Sequence, residues 1–155
     1  MVRVRLLLPL AVSLALLAAG CGGDGPKTDP GAFVQTLLRE LEQGRPGAAW
    51  ETLHPLHQKT VPRALYVRCE RSAGFGGKLT KLDVLEVKQE DATIPGVFGP
   101  KPSTAVTVGV TVAPDGGGAA ERFTITAHVF EADGELAWVI GPVDYASYQA
   151  GRCPS

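Results

Sequence analysis

The period of the apolar residues changes once along this chain, at Gly76-Gly77, and that change confines the fold more than any other feature. Before it, apolar side chains recur every three or four residues. Phe33, Val34, Leu37, Leu38 and Leu41 form one such stripe, which predicts a helix packed along one face. After it, apolar and polar residues alternate. Val106, Val108, Val110 and Val112 alternate with Thr107, Gly109 and Thr111, and Phe123, Ile125, Ala127 and Val129 with Thr124, Thr126 and His128. Alternation with β-branched residues predicts half-buried antiparallel strands. Helices first and strands afterwards define an α+β fold, with helices packed on one face of a sheet.

Local signals bound the elements. Asp29-Pro30 supplies an N-cap and a first-turn proline, and Gly44 closes that helix. Pro46 opens a second helix carrying Ala48, Ala49, Trp50 and Leu53, stopped near His54-Pro55. Leu56 to Thr60 reads as a helical turn, and a helix from Pro62 carries Leu65, Tyr66 and Cys69. Lys78 to Gln89 is the least regular strand, with Leu82 and Val84 on one face and Leu85 and Val87 on the other. Gly109 predicts a bend or bulge. Asp115 to Gly118 and Asp133-Gly134 are turn signals, the second followed by the strand of Leu136, Trp138 and Ile140. Three prolines and two glycines between Glu90 and Ser103 predict an irregular loop. Its Ile94, Val97 and Phe98 are apolar, so it either offers an interaction surface or, as favoured here, lets Phe98 cap the open end of the sheet.

Ahead of this domain, Arg3 and Arg5 precede an apolar run from Leu6 to Ala18, and Leu17-Ala18-Ala19-Gly20 leads into Cys21. The run is short for a membrane span and has the layout of a secretory signal. With a cysteine at the cut, it resembles the lipobox of bacterial lipoproteins. The resemblance implies removal of residues 1–20, acylation of Cys21, a tether over 21–28 and one domain over 29–155. Two or more acyl chains anchor a protein stably, so the expected location is the cell membrane, on its extracytoplasmic face. The tether from Gly22 to Thr28 spans roughly 25 Å at most, which keeps the domain close to the lipid.

Cleavage leaves 135 residues, enough for one domain. With Arg3 and Arg5 removed, 13 basic residues face 16 acidic ones, and no basic cluster remains to bind nucleic acid. Cys69 and Cys153 are left as a pair. In an exported protein a disulfide is the default, with metal ligation or two free thiols as alternatives.

Trp50, Glu51, His54 and His57 are the densest functional-looking cluster. His54 and His57 could share a helix face, with Glu51 and the distant His128 as further ligands, but zinc needs three or four well-placed donors. The favoured reading has His54 end a helix and bond neighbouring backbone, so no metal or other cofactor is expected. Trp50, Phe123, Phe130 and Trp138 read as core. No phosphate loop and no nucleophile elbow is present.

Helices followed by a curved meander resemble the nuclear-transport-factor-2-like cone shared with ketosteroid isomerase and the SnoaL-like proteins. Small actinobacterial lipoproteins look similar in an early apolar helix with Phe33, Trp50 followed by His54-Pro55, Tyr66-x-x-Cys69, and a terminal Tyr148-x-x-Gly-x-Cys-Pro. The resemblance implies a cavity between sheet and helices, where Trp50, His54, His57, Tyr66, Phe98, His128 and Trp138 are the pocket or binding candidates. Cone enzymes place acid–base groups there; Tyr66, Asp83, His128, Asp144 and Tyr145 could be imagined in such roles, yet none sits in a matching motif. The expectation is a non-catalytic module that binds a small apolar ligand or a protein partner, with a small isomerase, dehydratase or hydrolase as the alternative.

Overall fold

The computed structural model describes residues 29–73 and 77–155. The signal run, Cys21 and the tether lie outside the described residues. Four helices come first: α1 (Pro30–Glu42), α2 (Pro46–Glu51), α3 (Pro55–Thr60) and α4 (Arg63–Ala73). A four-stranded antiparallel meander follows, in the order β1 (Gly77–Thr93), β2 (Pro100–Pro114), β3 (Glu121–Ala132) and β4 (Glu135–Trp138). A last helix, α5, spans Pro142–Gln149.

The helix ends follow their signals. The Asp29 carboxylate accepts from the Ala32 N–H at 2.8 Å, and Gly44 takes a positive φ of 67° just past α1. The stripe on α1 divides between two clusters. Val34 and Leu38 press on the sheet against Val106, Val108, Val110, Val112 and Val129. Leu37 joins a second cluster with Ala49, Leu53, Val61, Tyr66, Cys69, Ile140, Tyr145 and Tyr148. Each fully buried Val or Leu contributes about 1.5–3 kcal/mol, so α1 fastens both clusters to one another.

Asp133 and Gly134 both have positive φ, 54° and 84°, between the paired residues Ala132 and Glu135. That is the two-residue hairpin turn whose twist suits antiparallel strands. The Gly109 expectation needs correction. Gly109 pairs regularly with Asp83 and Thr124, and the register shifts fall on β1, between Leu79 and Lys81 and between Val84 and Glu86. Each shift reverses the alternation. This is why Val84 and Val87 both stand opposite core valines, Val108 and Val106, despite their odd spacing.

The irregular loop over Glu90 to Ser103 is also corrected. The β1–β2 ladder continues through Thr93 opposite Pro100 and Asp91 opposite Pro102, leaving a loop of only Ile94 to Gly99. The two prolines alternate, so their missing N–H groups lie on one side, and pairing with β3 begins only at Thr104. On that side β2 is an edge and needs no donor there. Phe98 does not cap the sheet; it is 99% exposed at the loop.

β4 is covered at its free edge. The Leu53 segment makes a parallel bridge to Trp138, with His54 N–H donating to the Trp138 carbonyl at 2.8 Å and Trp138 N–H to the Thr52 carbonyl at 3.2 Å. Helix α5 was missing from the sequence expectation. It carries Tyr145 and Tyr148 into the second cluster, and its trailing segment is fastened by the Cys69–Cys153 disulfide, with Cα atoms 5.2 Å apart. The link closes 84 residues, for which chain entropy predicts about 4–5 kcal/mol. The C69A/C153A double variant is expected to lose about 2–5 kcal/mol of unfolding free energy in urea titrations.

Candidate functional site

The sequence candidates separate into three places. Trp50, His54, His57, Tyr66 and Trp138 gather between the helices and β4. His128 stands on the sheet face away from α1. Phe98 stands alone on the β1–β2 loop.

In the first group the two indoles and the two imidazoles bond backbone groups. Trp50 Nε1–H donates to the Val61 carbonyl at 2.9 Å, and Trp138 Nε1–H to the Ala49 carbonyl at 2.8 Å. His54 caps α3, its Nδ1 accepting from the Leu56 N–H at 3.3 Å. The bond to neighbouring backbone is as expected, but His54 begins α3 and does not end the helix before it, which stops at Glu51 with Thr52 as its C-cap. His57 is wholly buried at 0% exposure. Its Nε2 lies 2.9 Å from the Pro95 carbonyl, and its Nδ1 lies 3.2 Å from the Ile140 N–H. The carbonyl can only accept, so Nε2 carries the proton; the N–H can only donate, so Nδ1 is bare. These contacts fix the neutral ring and its tautomer. The ring also stacks on Tyr145 with centroids 4.4 Å apart.

With both nitrogens bonded, His57 has none left for a metal, although the His54 and His57 rings are only 6.4 Å apart. Among the described residues no three of His, Cys, Asp and Glu converge on a metal position.

Tyr66 is 1% exposed, and among the described residues its hydroxyl has no hydrogen-bond partner. Burial pushes its phenol strongly upward, helped by the neighbouring Glu70 and Tyr148. Glu70 accepts from the Tyr148 hydroxyl at 2.8 Å; burial raises its carboxyl above the ordinary range despite that bond. Two residue groupings of an acid–base site thus occur here, a buried histidine beside a tyrosine and a half-buried carboxylate beside two. Access is not met, because substrate cannot reach His57 or Tyr66 in the closed core.

His128 belongs to a small cluster that sequence reasoning did not assemble. The Ser103 hydroxyl donates to the Glu90 carbonyl at 2.7 Å and lies 3.2 Å from His128 Nδ1. His128 Nε2 is 3.9 Å from the Glu90 carboxylate. The residue types are those of a hydrolytic triad, but the serine proton is committed to the backbone, so the hydroxyl receives from His128 and is not activated by it. Register alone brings the three together: Glu90 pairs with Ser103, and Ala105 with His128. No sequence spacing announces this.

The same sheet face continues away from His128 as an open surface. Lys81, Asp83, Glu86 and Lys88 on β1 stand opposite Thr111, Gly109, Thr107 and Ala105, which stand opposite Arg122, Thr124, Thr126 and His128. Leu85, at the second β1 bulge, is 59% exposed and lies over Gly109, whose absent side chain makes room for it. Lys81, Asp83, Leu85, Arg122 and Thr124 line a shallow cleft of about 330 Å³ there. A second open cleft, of about 360 Å³, lies between His54, Leu56, Ile94, Val97 and Phe130.

Two expectations follow. Burial lowers the pKa of both His54 and His57. An unfolded imidazole near 6.5 therefore takes up its proton before the folded one does. Their contribution to stability is complete above about pH 6.5 and is lost as pH falls through the lowered folded values. Glu70, raised, acts oppositely: its contribution is present in acid and fades as pH rises through its folded value. His57→Phe should lower neutral-pH stability by about 1–3 kcal/mol, since it orphans the Pro95 carbonyl and the Ile140 N–H. It should also flatten the decline in unfolding free energy between pH 8 and pH 5; an unchanged profile would assign that decline elsewhere. Tyr66→Phe should be neutral or stabilising by up to about 1 kcal/mol in the same titration, because it removes an unpaired buried hydroxyl. No family model matches this chain, and no curated protein matches it either.

Proposed function

We propose that this chain is a membrane-anchored extracytoplasmic lipoprotein whose cone-like α+β domain is a protein-interaction module. The Leu17-to-Cys21 pattern and the charged and apolar segments before it support the anchor. Helices leading into an antiparallel meander, with two register shifts that favour curvature on β1, support the relation to the nuclear-transport-factor-2-like cone.

One observation carries the choice of interaction over enclosure of a ligand. The sheet face on which a cone would hold its cavity is filled: Val34 and Leu38 of α1 seat among Val106, Val108, Val110, Val112 and Val129. The opposite face, from Lys81 to Thr124, is open, carries charges of both signs and exposes Leu85 at its bulge. An apolar residue ringed by polar groups is the arrangement of a protein-binding patch. The enzyme alternative is weakened by the sealing of His57 and Tyr66. Tethering would act by raising the local concentration of the domain at the membrane.

A photo-crosslinking residue placed at Leu85 of the membrane-bound chain should yield a discrete protein adduct, and one at the exposed Gln43 beyond α1 should not. Native mass spectrometry of the purified chain with a small molecule retained, and no adduct at Leu85, would overturn the interaction reading in favour of ligand binding.

A further inference from the structure

β1 is an edge strand. Among the described residues β2 is its only partner in the sheet, and α1 meets it from the core face, where a Cβ on Gly31 would lie 3.2 Å from the Val84 side chain. Every residue from Val84 to Gln89 is exposed. Three of them are apolar: Val84, Leu85 and Val87, at 38%, 59% and 48% exposure. An edge strand that shows apolar side chains is a template for another strand.

The bulge at Leu85 decides which strand can take that place. Residues opposed across a strand pair must point to the same face of the sheet. Lys81, Asp83, Glu86, Lys88 and Glu90 lie on the face away from α1, and Leu82, Val84, Val87 and Gln89 on the core face, so the alternation changes phase across Leu85. A regular strand laid along this edge is therefore out of phase on one side of the bulge. A strand with the same extra residue stays in phase on both sides.

A second copy of β1, run antiparallel with Leu85 and Glu86 opposite Glu86 and Leu85, meets that condition. Leu82 then stands opposite Gln89 and Val84 opposite Val87 on the core face. On the other face Lys81 stands opposite Glu90 and Asp83 opposite Lys88, each pair opposite in sign. Within one copy Lys81 already pairs with Asp83 at 2.7 Å and Lys88 with Glu90 at 3.0 Å, so the four charges on either side of the centre alternate in both directions. Sliding the strands by two residues sets Lys81 against Lys88 and Asp83 against Glu86; sliding them the other way sets Asp83 against Glu90. Like charges directly opposed disfavour both alternatives.

We infer that β1 pairs edge to edge with β1 of a second copy in this register, about a two-fold axis perpendicular to the sheet. This deepens the interaction reading, on which it rests, by naming the partner at Leu85 as the same chain. The contact between Gly31 and Val84 puts the start of each α1 near the axis and on one face of the joined sheet. Both tethers then leave from the same side, as two copies held by one membrane require. Confinement to that membrane raises the local concentration of each copy for the other.

The test uses the full chain, expressed with its signal in two differently tagged forms, with one tag captured from detergent-solubilised membranes and the other counted. Wild type should recover wild type. K88E sets a carboxylate against Asp83 of the second copy, and D83K sets an ammonium against Lys88 of the second copy. Each variant paired with itself should recover about tenfold less. K88E paired with D83K restores opposite charges at both places and should recover as wild type does, which a fold damaged by either substitution would not. A mixed pair that stays low, equal recovery in every combination, or no recovery of wild type overturns the inference. The photo-crosslinker at Leu85 separates this from the broader reading. An adduct of twice the chain mass supports the second copy. An adduct with a different protein, without self-recovery, overturns the second copy and leaves the interaction reading standing. No adduct and no recovery overturns both.

Discussion

Much of this fold depends on one imidazole. His57 donates from Nε2 to Pro95 on the β1–β2 loop and accepts at Nδ1 from Ile140 between β4 and α5. It thereby joins α3 to two segments that lie 38 and 83 residues away in sequence. No water replaces these bonds in a wholly buried position, so losing either leaves an orphaned backbone group. The neutral ring is also the one that stacks against Tyr145, which itself donates to the Thr60 hydroxyl at 3.1 Å. Loop, short helix and terminal helix are held in register by a side chain that makes no use of its acid–base chemistry.

The same principle explains the other candidates. Trp50 and Trp138 each pin a distant or neighbouring carbonyl, and the Trp138 backbone closes the β4 edge with the Leu53 segment. Indoles and imidazoles can fill a core while satisfying a backbone group that an aliphatic residue would leave unpaired. In a chain with short helices, such as the six residues of α2 and of α3, many helix-end groups need partners of this kind. The functional-looking density around Trp50 to His57 reflects that demand.

What could be read from sequence was local and periodic. The valines of β2, the caps of α1 and the Asp133-Gly134 turn follow from residue types within a few positions of one another. What could not be read depends on distant partners. The face of a residue on β1 is set by bulges whose position appears only in the pairing with β2. Pro100 and Pro102 look like strand breakers until it is known that β3 stops short of them. Phe98 looks like a core residue by type, and only the shortness of its loop keeps it outside. Helix α5 carried a legible signal in Gly141-Pro142 followed by Tyr145 and Tyr148, three apart and both buried. The Glu90, Ser103 and His128 grouping carried none, because cross-strand neighbours have no fixed separation in sequence.

The Cys69–Cys153 link has a topological result beyond stability. All four strands and α5 lie within the covalent ring that it closes. A protease that cuts the exposed Asp115-Gly116 turn opens the ring without dividing the molecule, since the two pieces stay joined through sulfur. A nicked domain would therefore remain one body. Covalent release of the fragment carrying β3, β4 and α5 needs both the cut and reduction of the disulfide, in either order.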